Sequence, residues 1–266
     1  MELQDISYEV DNGLAWIMIN RPDRFNAFRA RTVDELIKCL KRAWADTSVG
    51  VVCLTGAGEK AFCVGGDQKQ RAEKGNYGPS ESGLFEVSTL HRLIREIPKP
   101  VIAAVNGLAI GGGHVLHVLC DLTIAAEHAR FGQNGPRVGS FDAGFGTGLL
   151  ARMVGEKRAR EIWFLCRQYD AATAERWGLV NAVVPGSELR TTVRQWADEM
   201  LVLSPTTLRF LKQSFNVDTE QMAGVARLAG TGLLQFTESV EAKEGVKAFS
   251  EKRKPDFSAH RKRVSV

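Results

Sequence analysis

Apolar and polar positions follow two different periods along the first two-thirds of the chain. Short apolar runs at 14–20, 51–54, 101–105 and 122–126 have the length of buried β-strands. Apolar residues recur at helical spacing over 32–45, and a further helix is predicted over 91–96 before Pro98. Strands therefore alternate with helices up to about Pro185, a pattern that is typical of an α/β protein.

The pattern changes at two places. Residues 69–82 are polar and rich in Gly, Pro and Ser, which predicts a mobile surface loop. From Leu189 onward the spacing is mostly helical. We therefore divide the chain into a core at 1–188 and a helical C-terminal region at 189–266, which we interpret as a lid or an assembly element.

Two glycine clusters follow predicted buried segments. Gly65-Gly66 lies in the stretch AFCVGGDQ, and Gly111-Gly112-Gly113 interrupts VIAAVNGLAIGGGHVLHVLC. Glycine lets a backbone approach a ligand closely, although tight strand–helix packing explains either cluster taken alone. The second cluster opens a predicted helix with nothing acidic in its first turn, so free N–H groups there would suit a developing oxyanion.

Composition and charge narrow the function classes. The chain has 266 residues, is 44% hydrophobic and carries a formal net charge of +4, which is too weak to indicate a nucleic-acid partner. No apolar run reaches the roughly 18 residues of a membrane span, and the acidic N-terminus does not resemble a signal peptide. We expect a cytoplasmic protein. The basic stretch at 252–263 is either a solvated tail or a contact for a phosphorylated ligand.

Cysteine and nucleotide motifs suggest little further chemistry. The five cysteines are scattered without a CxxC pair, which favours buried free thiols over a disulfide framework or a zinc site, and we expect no metal. The GxGxxG and phosphate-loop patterns are absent from the sequence. A dinucleotide or nucleoside-triphosphate enzyme is therefore disfavoured.

Six segments, in order, resemble the crotonase (enoyl-CoA hydratase/isomerase) superfamily. They are INRPDRFNAF, AFCVGGDQ, KPVIAAVNGLAIGGG, CDLTIAA, ARFGQ and EKRKPDF, and they span nearly the whole chain. The resemblance implies a spiral of ββα units and a C-terminal helical region that assembles a homotrimer or hexamer. It also implies acyl-CoA substrates, with CoA as part of the substrate and no tightly bound cofactor.

The resemblance also assigns binding roles to individual residues. The backbone N–H groups of Gly66 and Gly112 would form the oxyanion hole for a thioester enolate. Phe249 and Lys252 would lie near the CoA adenine and phosphates. The backbone at Asn26, Ala27 and Phe28 would line the nucleotide part of CoA.

Two departures argue against a simple hydratase. The family's hydratases use two glutamates, and at the matching positions this chain has Val115 and Gly135. The nearby segment VGSFDAGFG contains Asp142 among glycines and Ser140, a residue able to orient it. Asp142 would be an ordinary turn cap in isolation, but the family context makes it a catalytic candidate.

Two subgroups of the superfamily share this pattern. GGDQ, GPRVGSFD and REIWFLCRQYDA resemble the ring-closing 1,4-dihydroxy-2-naphthoyl-CoA synthases. Residues 8–38 and LHRLIREIPKP resemble the ring-opening 2-ketocyclohexanecarboxyl-CoA hydrolases. Both reactions pass through an enolate beside a thioester. Weaker alternatives are a dehalogenase, an enzyme of the family with another substrate and an RNA-binding scaffold.

Four further residues carry over from these subgroups. Gln133 and Trp163 match positions that hold bicarbonate as a base in one type of synthase, although Trp163 equally suits core packing. Tyr77 matches a tyrosine near the reacting carbonyl, or else it is an exposed loop aromatic. Thr237 stands where both subgroups have a second tyrosine, which a neighbouring subunit supplies in the synthase. This change departs from both subgroups, whereas the run GLFEVSTLHRL departs from the synthase pattern, so we favour the ring-opening hydrolase or a relative with a different cyclic substrate.

Overall fold

The computed structural model describes residues 3–261, which contain ten strands in two sheets. The larger sheet has the order β1-β2-β3-β5-β7-β10 and the smaller the order β4-β6-β8-β9. Their bounds are β1 Ile6–Asp11, β2 Leu14–Ile19, β3 Val51–Gly56, β4 Ala61–Cys63, β5 Val101–Val105, β6 Leu108–Ile110, β7 Leu122–Ala126, β8 Arg130–Gly132, β9 Gln168–Asp170 and β10 Ala182–Val184.

Eleven α-helices pack around these sheets in the described part of the chain. The bounds are α1 Ala30–Ala45, α2 Gln68–Lys74, α3 Val87–Glu96, α4 Gly112–Leu119, α5 Leu150–Val154, α6 Glu156–Leu165, α7 Ala171–Arg176, α8 Leu189–Leu201, α9 Pro205–Val217, α10 Glu220–Thr237 and α11 Val240–Ser250. A single π-helical turn at Phe145–Leu149 leads into α5. Such turns are frequent at functional sites.

The two sheets are built from a repeated ββα unit. In the units that begin at β3, β5 and β7, the first strand joins the larger sheet and the second joins the smaller one. Most neighbouring strands are parallel, and the exceptions are the pairs β1–β2 and β8–β9. Each unit advances both sheets by one strand, which is the spiral that the resemblance predicted. The α/β fold class is confirmed.

Most predicted elements are confirmed, but the prediction for 69–82 is partly wrong. Residues 68–74 form helix α2, where a mobile loop was expected. The Asp67 side chain accepts a hydrogen bond from the N–H of Gln70 at its start, and Gly75 ends the helix with φ of 73°. A cap at each end stabilises a helix of seven residues whose sequence lacks an apolar stripe.

The C-terminal helices fall into two groups. Helix α8 packs on β3, β5 and β7, and Leu189, Val193 and Ala197 complete a second apolar cluster there. Helices α9, α10 and α11 come after it, and α10 contacts α3 and the π-helical turn. The division at residue 188 stays a prediction, and residues 262–266 of the predicted C-terminal region lie outside the described residues.

None of the helices in 3–261 is long and apolar enough to span a membrane.

Candidate functional site

Three adjacent strands of the smaller sheet end at one edge. Strands β4, β6 and β8 are parallel neighbours, so their carboxyl ends point the same way. Gly66 follows β4 by three residues, Gly112 follows β6 by two, and Gln133 follows β8 directly. Parallel pairing therefore brings together residues that are 46 and 67 positions apart in the chain, as expected at the carboxyl edge of a parallel sheet.

The two glycine corners touch each other through their backbones. A Cβ built on Gly65 would lie 2.8 Å from the amide nitrogen of Gly112. One built on Gly113 would lie 1.9 Å from the carbonyl oxygen of Cys63, far inside van der Waals contact. Gly111 adopts φ of +58°, a conformation that favours glycine. Tight packing therefore explains Gly65 and Gly113, while close approach of a ligand at these clusters stays a prediction.

Two backbone N–H groups remain free at this contact. Gly112 is the first residue of α4, so its N–H has no acceptor within the helix. The N–H of Gly66 donates to no acceptor in residues 3–261. The first turn of α4 contains no acidic residue, so the partial positive charge of the helix N-terminus is available to a ligand.

The segment predicted to contact CoA runs beside the first corner. The N–H of Phe28 donates to the carbonyl of Gly65 (2.8 Å), and the N–H of Asp67 donates back to Phe28 (2.9 Å). Ala27 is buried beside them. The fully buried Asn26 donates its side-chain amide to the carbonyls of Ala57 and Ala61. The side chain of Asn26 is therefore structural, while Phe28 reaches the site.

A cavity of about 140 Å³ lies over the two free N–H groups. It gathers seven residues that the sequence singled out for catalysis or anion binding: Gly66, Tyr77, Gly112, Gln133, Ser140, Asp142 and Trp163. Phe28 also lines this cavity, whereas Asn26, Ala27, Phe249 and Lys252 do not.

Tyr77 lies directly on Gly66. A Cβ at Gly66 would come within 2.6–2.8 Å of the phenol ring and its oxygen. The Tyr77 hydroxyl accepts a hydrogen bond from the Gln68 side chain (3.3 Å), and its ring stacks on Phe85 with centroids 4.7 Å apart. Tyr77 is thus a half-buried residue of the cavity wall rather than a free loop aromatic.

Asp142 has one hydrogen-bond donor and one histidine neighbour. One carboxylate oxygen accepts the N–H of Gly146 (2.9 Å), and the other lies 4.0 Å from Nδ1 of His91 on α3. The expected orienting bond from the Ser140 hydroxyl is not formed in the described structure; the Ser140 N–H donates to the carbonyl of Gly135 (2.9 Å). The sequence missed His91 as a partner of Asp142.

Burial keeps the nearby histidines uncharged. Burial lowers the pKa of His91, which the Asp142 carboxylate partly opposes, and lowers the pKa of His114 to about 3. The pKa of His117 is also well below its usual value, because the ring is buried and His114 is beside it. All three rings are neutral near pH 7, so Asp142 faces a neutral partner.

The two residues predicted to hold bicarbonate already have partners. The indole N–H of Trp163 donates to the carbonyl of Gly146 (3.1 Å), and the Gln133 amide nitrogen lies 3.4 Å from Nδ1 of His114. The indole N–H of Trp163 would have to leave Gly146 to hold an anion, and the Gln133 amide has one N–H beyond its contact with His114. The use of bicarbonate stays a prediction.

A second cavity is lined by residues of α2 and α11, which are in contact with each other. It has a volume of about 390 Å³ and is lined by Arg71, Thr237, Lys243 and Lys247 among others. Arg71 is 7% exposed, and its Nη1 atom has no hydrogen-bond partner in 3–261. Phe249, which is half-exposed, and Lys252 lie at the end of α11, beside residues that line this cavity.

A profile of the enoyl-CoA hydratase/isomerase family matches residues 9–260. The chain belongs to this family. An enoyl-CoA hydratase from Mycobacterium avium subsp. paratuberculosis superposes with a TM-score of 0.86 at 27% identity, covering 97% of this chain and all of that one. A carnitinyl-CoA hydratase from Mycobacterium avium gives 0.83 at 32% identity, covering 96% and 99%.

A third similar structure is an enoyl-CoA hydratase/isomerase from Pseudoalteromonas atlantica. Its TM-score is 0.87 at 29% identity, and the match covers 96% of this chain and all of that one. Together with the family profile, these matches confirm the predicted crotonase superfamily. The chain is therefore an acyl-CoA-processing enzyme of the enoyl-CoA hydratase/isomerase family.

We expect Gly112→Pro to lower kcat by about 10²–10³-fold, because it removes one of the two N–H groups that can stabilise an oxyanion. Gly112→Ala is the matched control, since it adds the same Cβ, 2.7 Å from the Phe28 ring, and keeps the N–H. Steady-state kinetics on an acyl-CoA substrate measure both. Equal losses in the two variants would assign the effect to the Phe28 clash rather than to the missing donor.

Proposed function

We propose that this enzyme opens the ring of a cyclic β-ketoacyl-CoA by hydrolysis, as a 2-ketocyclohexanecarboxyl-CoA hydrolase does. The observation that carries the proposal is the composition of one cavity. Two free N–H groups face the same space as Asp142 and Tyr77, while Val115 and Gly135 stand where a hydratase has its glutamates. The site supports enolate chemistry with a single carboxylate.

The reaction begins with the thioester oxygen between the N–H groups of Gly66 and Gly112. Asp142 accepts a proton from water as the water oxygen bonds to the ring ketone carbon, and the Tyr77 hydroxyl donates to the ketone oxygen. The bond between this carbon and the α-carbon then breaks. Its electron pair forms the thioester enolate, which the two N–H groups stabilise. Asp142 returns the proton to the α-carbon, and the product is a dicarboxylic acid mono-CoA ester.

A chamber beside Asp142 offers room for a bulky acyl group. It has a volume of about 290 Å³ and shares Val87, His91, Phe141, Asp142 and Leu233 with the catalytic cavity. Its other walls combine Phe145 and the small residues of α10 with polar side chains from Ser88, Thr89, Arg92 and Arg227. An alicyclic ring fits the apolar part of this space.

The alternative is ring closure, as in the 1,4-dihydroxy-2-naphthoyl-CoA synthases. The same oxyanion site would serve it, because both reactions need a thioester enolate. The engaged indole N–H of Trp163 favours ring opening, because it is not free for the bicarbonate that one type of synthase uses.

We expect the purified enzyme to convert 2-ketocyclohexanecarboxyl-CoA to pimelyl-CoA, and Asp142→Asn to lose most of this activity while retaining the fold. Mass spectrometry of the CoA esters in H₂¹⁸O would place one labelled oxygen in the new carboxylate. Incubation with 2-succinylbenzoyl-CoA, with and without bicarbonate, is the parallel assay. A naphthoyl product there, with no pimelyl-CoA from the ketone, would replace ring opening by ring closure.

We further propose that the CoA phosphates bind between α2 and α11. A buried guanidinium without a carboxylate partner is costly unless an anion joins it. Arg71 meets that description among the described residues, and α2 begins at Gln68, which lines the catalytic cavity one helical turn away. Lys243 and Lys247 add positive charge, although each also has a glutamate within 4.0 Å.

We expect Arg71→Ala to raise KM for the CoA thioester about tenfold with little change in kcat, since one charge-assisted contact is worth roughly 1.4 kcal/mol. The same acyl group on pantetheine, which lacks the nucleotide, should show no difference between variant and wild type. Lys157→Ala, at an exposed position of α6, is the charge-matched control. An equal loss with the pantetheine thioester would exclude a phosphate contact.

Finally, we propose that α9 and α10 assemble the chain into a homo-oligomer. Large apolar side chains are exposed on both helices, among them Phe210, Phe215 and Leu228 at 65%, 80% and 76% exposure. Exposed apolar groups of this size on two consecutive helices are typical of an interface.

We expect the wild-type protein to have the mass of a trimer or hexamer by light scattering, and Phe215→Asp to shift it toward the monomer. Ser214→Asp adds the same charge one position away on α9 and serves as the control. A monomeric wild type would remove the basis for this assembly.

A further inference from the structure

The reaction proposed above leaves one buried histidine of the cavity wall, His91, without a role. This residue lies on the buried face of α3 and is 7% exposed. It lines both the catalytic cavity and the chamber beside it, at the boundary where Asp142 also lies. A polar ring at such a place is costly unless its atoms have partners.

The distances define which atom of the ring faces Asp142. Nδ1 lies 4.0 Å from one carboxylate oxygen, and Nε2 is buried with no hydrogen-bond partner in the described residues. A neutral imidazole has one N–H and one lone pair. A proton on Nε2 would leave a buried donor unpaired and turn the Nδ1 lone pair toward a carboxylate. A proton on Nδ1 avoids both costs.

The neutrality of the ring matters for the carboxylate. Burial lowers the pKa of His91, and Asp142 is the charged side chain that faces it among the described residues. An imidazolium would pair with the carboxylate and weaken it as a proton acceptor. A neutral imidazole N–H orients the Asp142 carboxylate and leaves the negative charge of the carboxylate in place.

We propose that His91 is a positioning residue that holds the catalytic carboxylate. Its Nδ1–H donates to one oxygen of Asp142, and the Gly146 N–H donates to the other oxygen, so that the carboxylate is fixed from two sides. The substrate draws the 4.0 Å separation into a hydrogen bond, as catalytic contacts often tighten on binding. In this scheme, which rests on the proposed function, the proton from water goes to Asp142 and back to the α-carbon. His91 keeps its own proton throughout.

Three substitutions separate positioning from packing. His91→Asn retains a donor where Nδ1 lies, His91→Gln moves the donor to the place of Nε2, and His91→Leu removes it. We expect His91→Leu and His91→Gln to lower kcat by about 10- to 100-fold, within the roughly 10²–10⁴-fold that a general base contributes, with KM changed less than about twofold. His91→Asn should recover most of kcat. Circular dichroism and thermal unfolding check that each variant folds.

The tautomer of His91 supplies a readout that does not need turnover. Two-bond ¹H–¹⁵N correlation spectra of the labelled wild type distinguish a proton on Nδ1 from one on Nε2, and His91→Gln assigns the signal. We expect the Nδ1–H form in the wild type and loss of this preference in Asp142→Asn.

The activity assay and the tautomer measurement test different claims. A wild type that does not open 2-ketocyclohexanecarboxyl-CoA contradicts the proposed function, while the tautomer still tests the His91–Asp142 contact. An Nε2–H ring in the wild type overturns the inference whatever the activity. So does a His91→Leu variant that folds and keeps full kcat, or a His91→Asn variant no better than His91→Leu.

Discussion

The site depends on a contact between two backbones that no side chain could enter. Gly113 lies so close to Cys63 that a Cβ would be 1.9 Å from its carbonyl oxygen, and Gly65 touches the first amide of α4. This approach lets one turn and one helix N-terminus direct their N–H groups into a single cavity. A methyl group at Gly113 would clash with β4. Because β4 and α4 both lie in the buried core, neither could move away without disturbing its packing.

Polar groups around the contact hold it in place. Arg21 donates to Asp67 (2.9 Å) and to the carbonyl of Ala27, and Asp67 also caps α2. Asn26 links the same segment to the first residue of β4. The turn that contains Gly66 is thus fixed by hydrogen bonds to residues about 40 positions earlier. This arrangement leaves the N–H of Gly66 without an acceptor in the described residues.

Features that depend on local residues could be predicted from the sequence, whereas contacts between distant segments could not. The buried strands and the glycine corners were predicted, because apolar runs and glycine have direct backbone consequences. Helix α2 was missed, since its stability comes from the caps at Asp67 and Gly75 rather than from periodicity. His91 gave one usable signal: it occupies the face of α3 shared by Leu90 and Ile94, where a polar residue needs a partner. That partner lies 51 positions away, at Asp142.

Backbone dipoles and one carboxylate both line the catalytic cavity. The oxyanion wall consists of backbone dipoles backed by the neutral rings of His114 and His117, so it has no formal charge to be neutralised by a bound anion. Asp142 lines the same cavity and is neutral once it has accepted the proton from water, so the enolate forms beside an uncharged acid. The negative charge of the enolate is therefore left to the backbone dipoles of Gly66 and Gly112. A second carboxylate at position 115, within the first turn of α4, would place negative charge on the dipolar wall itself. Val115 keeps that wall free of side-chain charge, which suits a reaction in which one carboxylate both accepts and returns the proton.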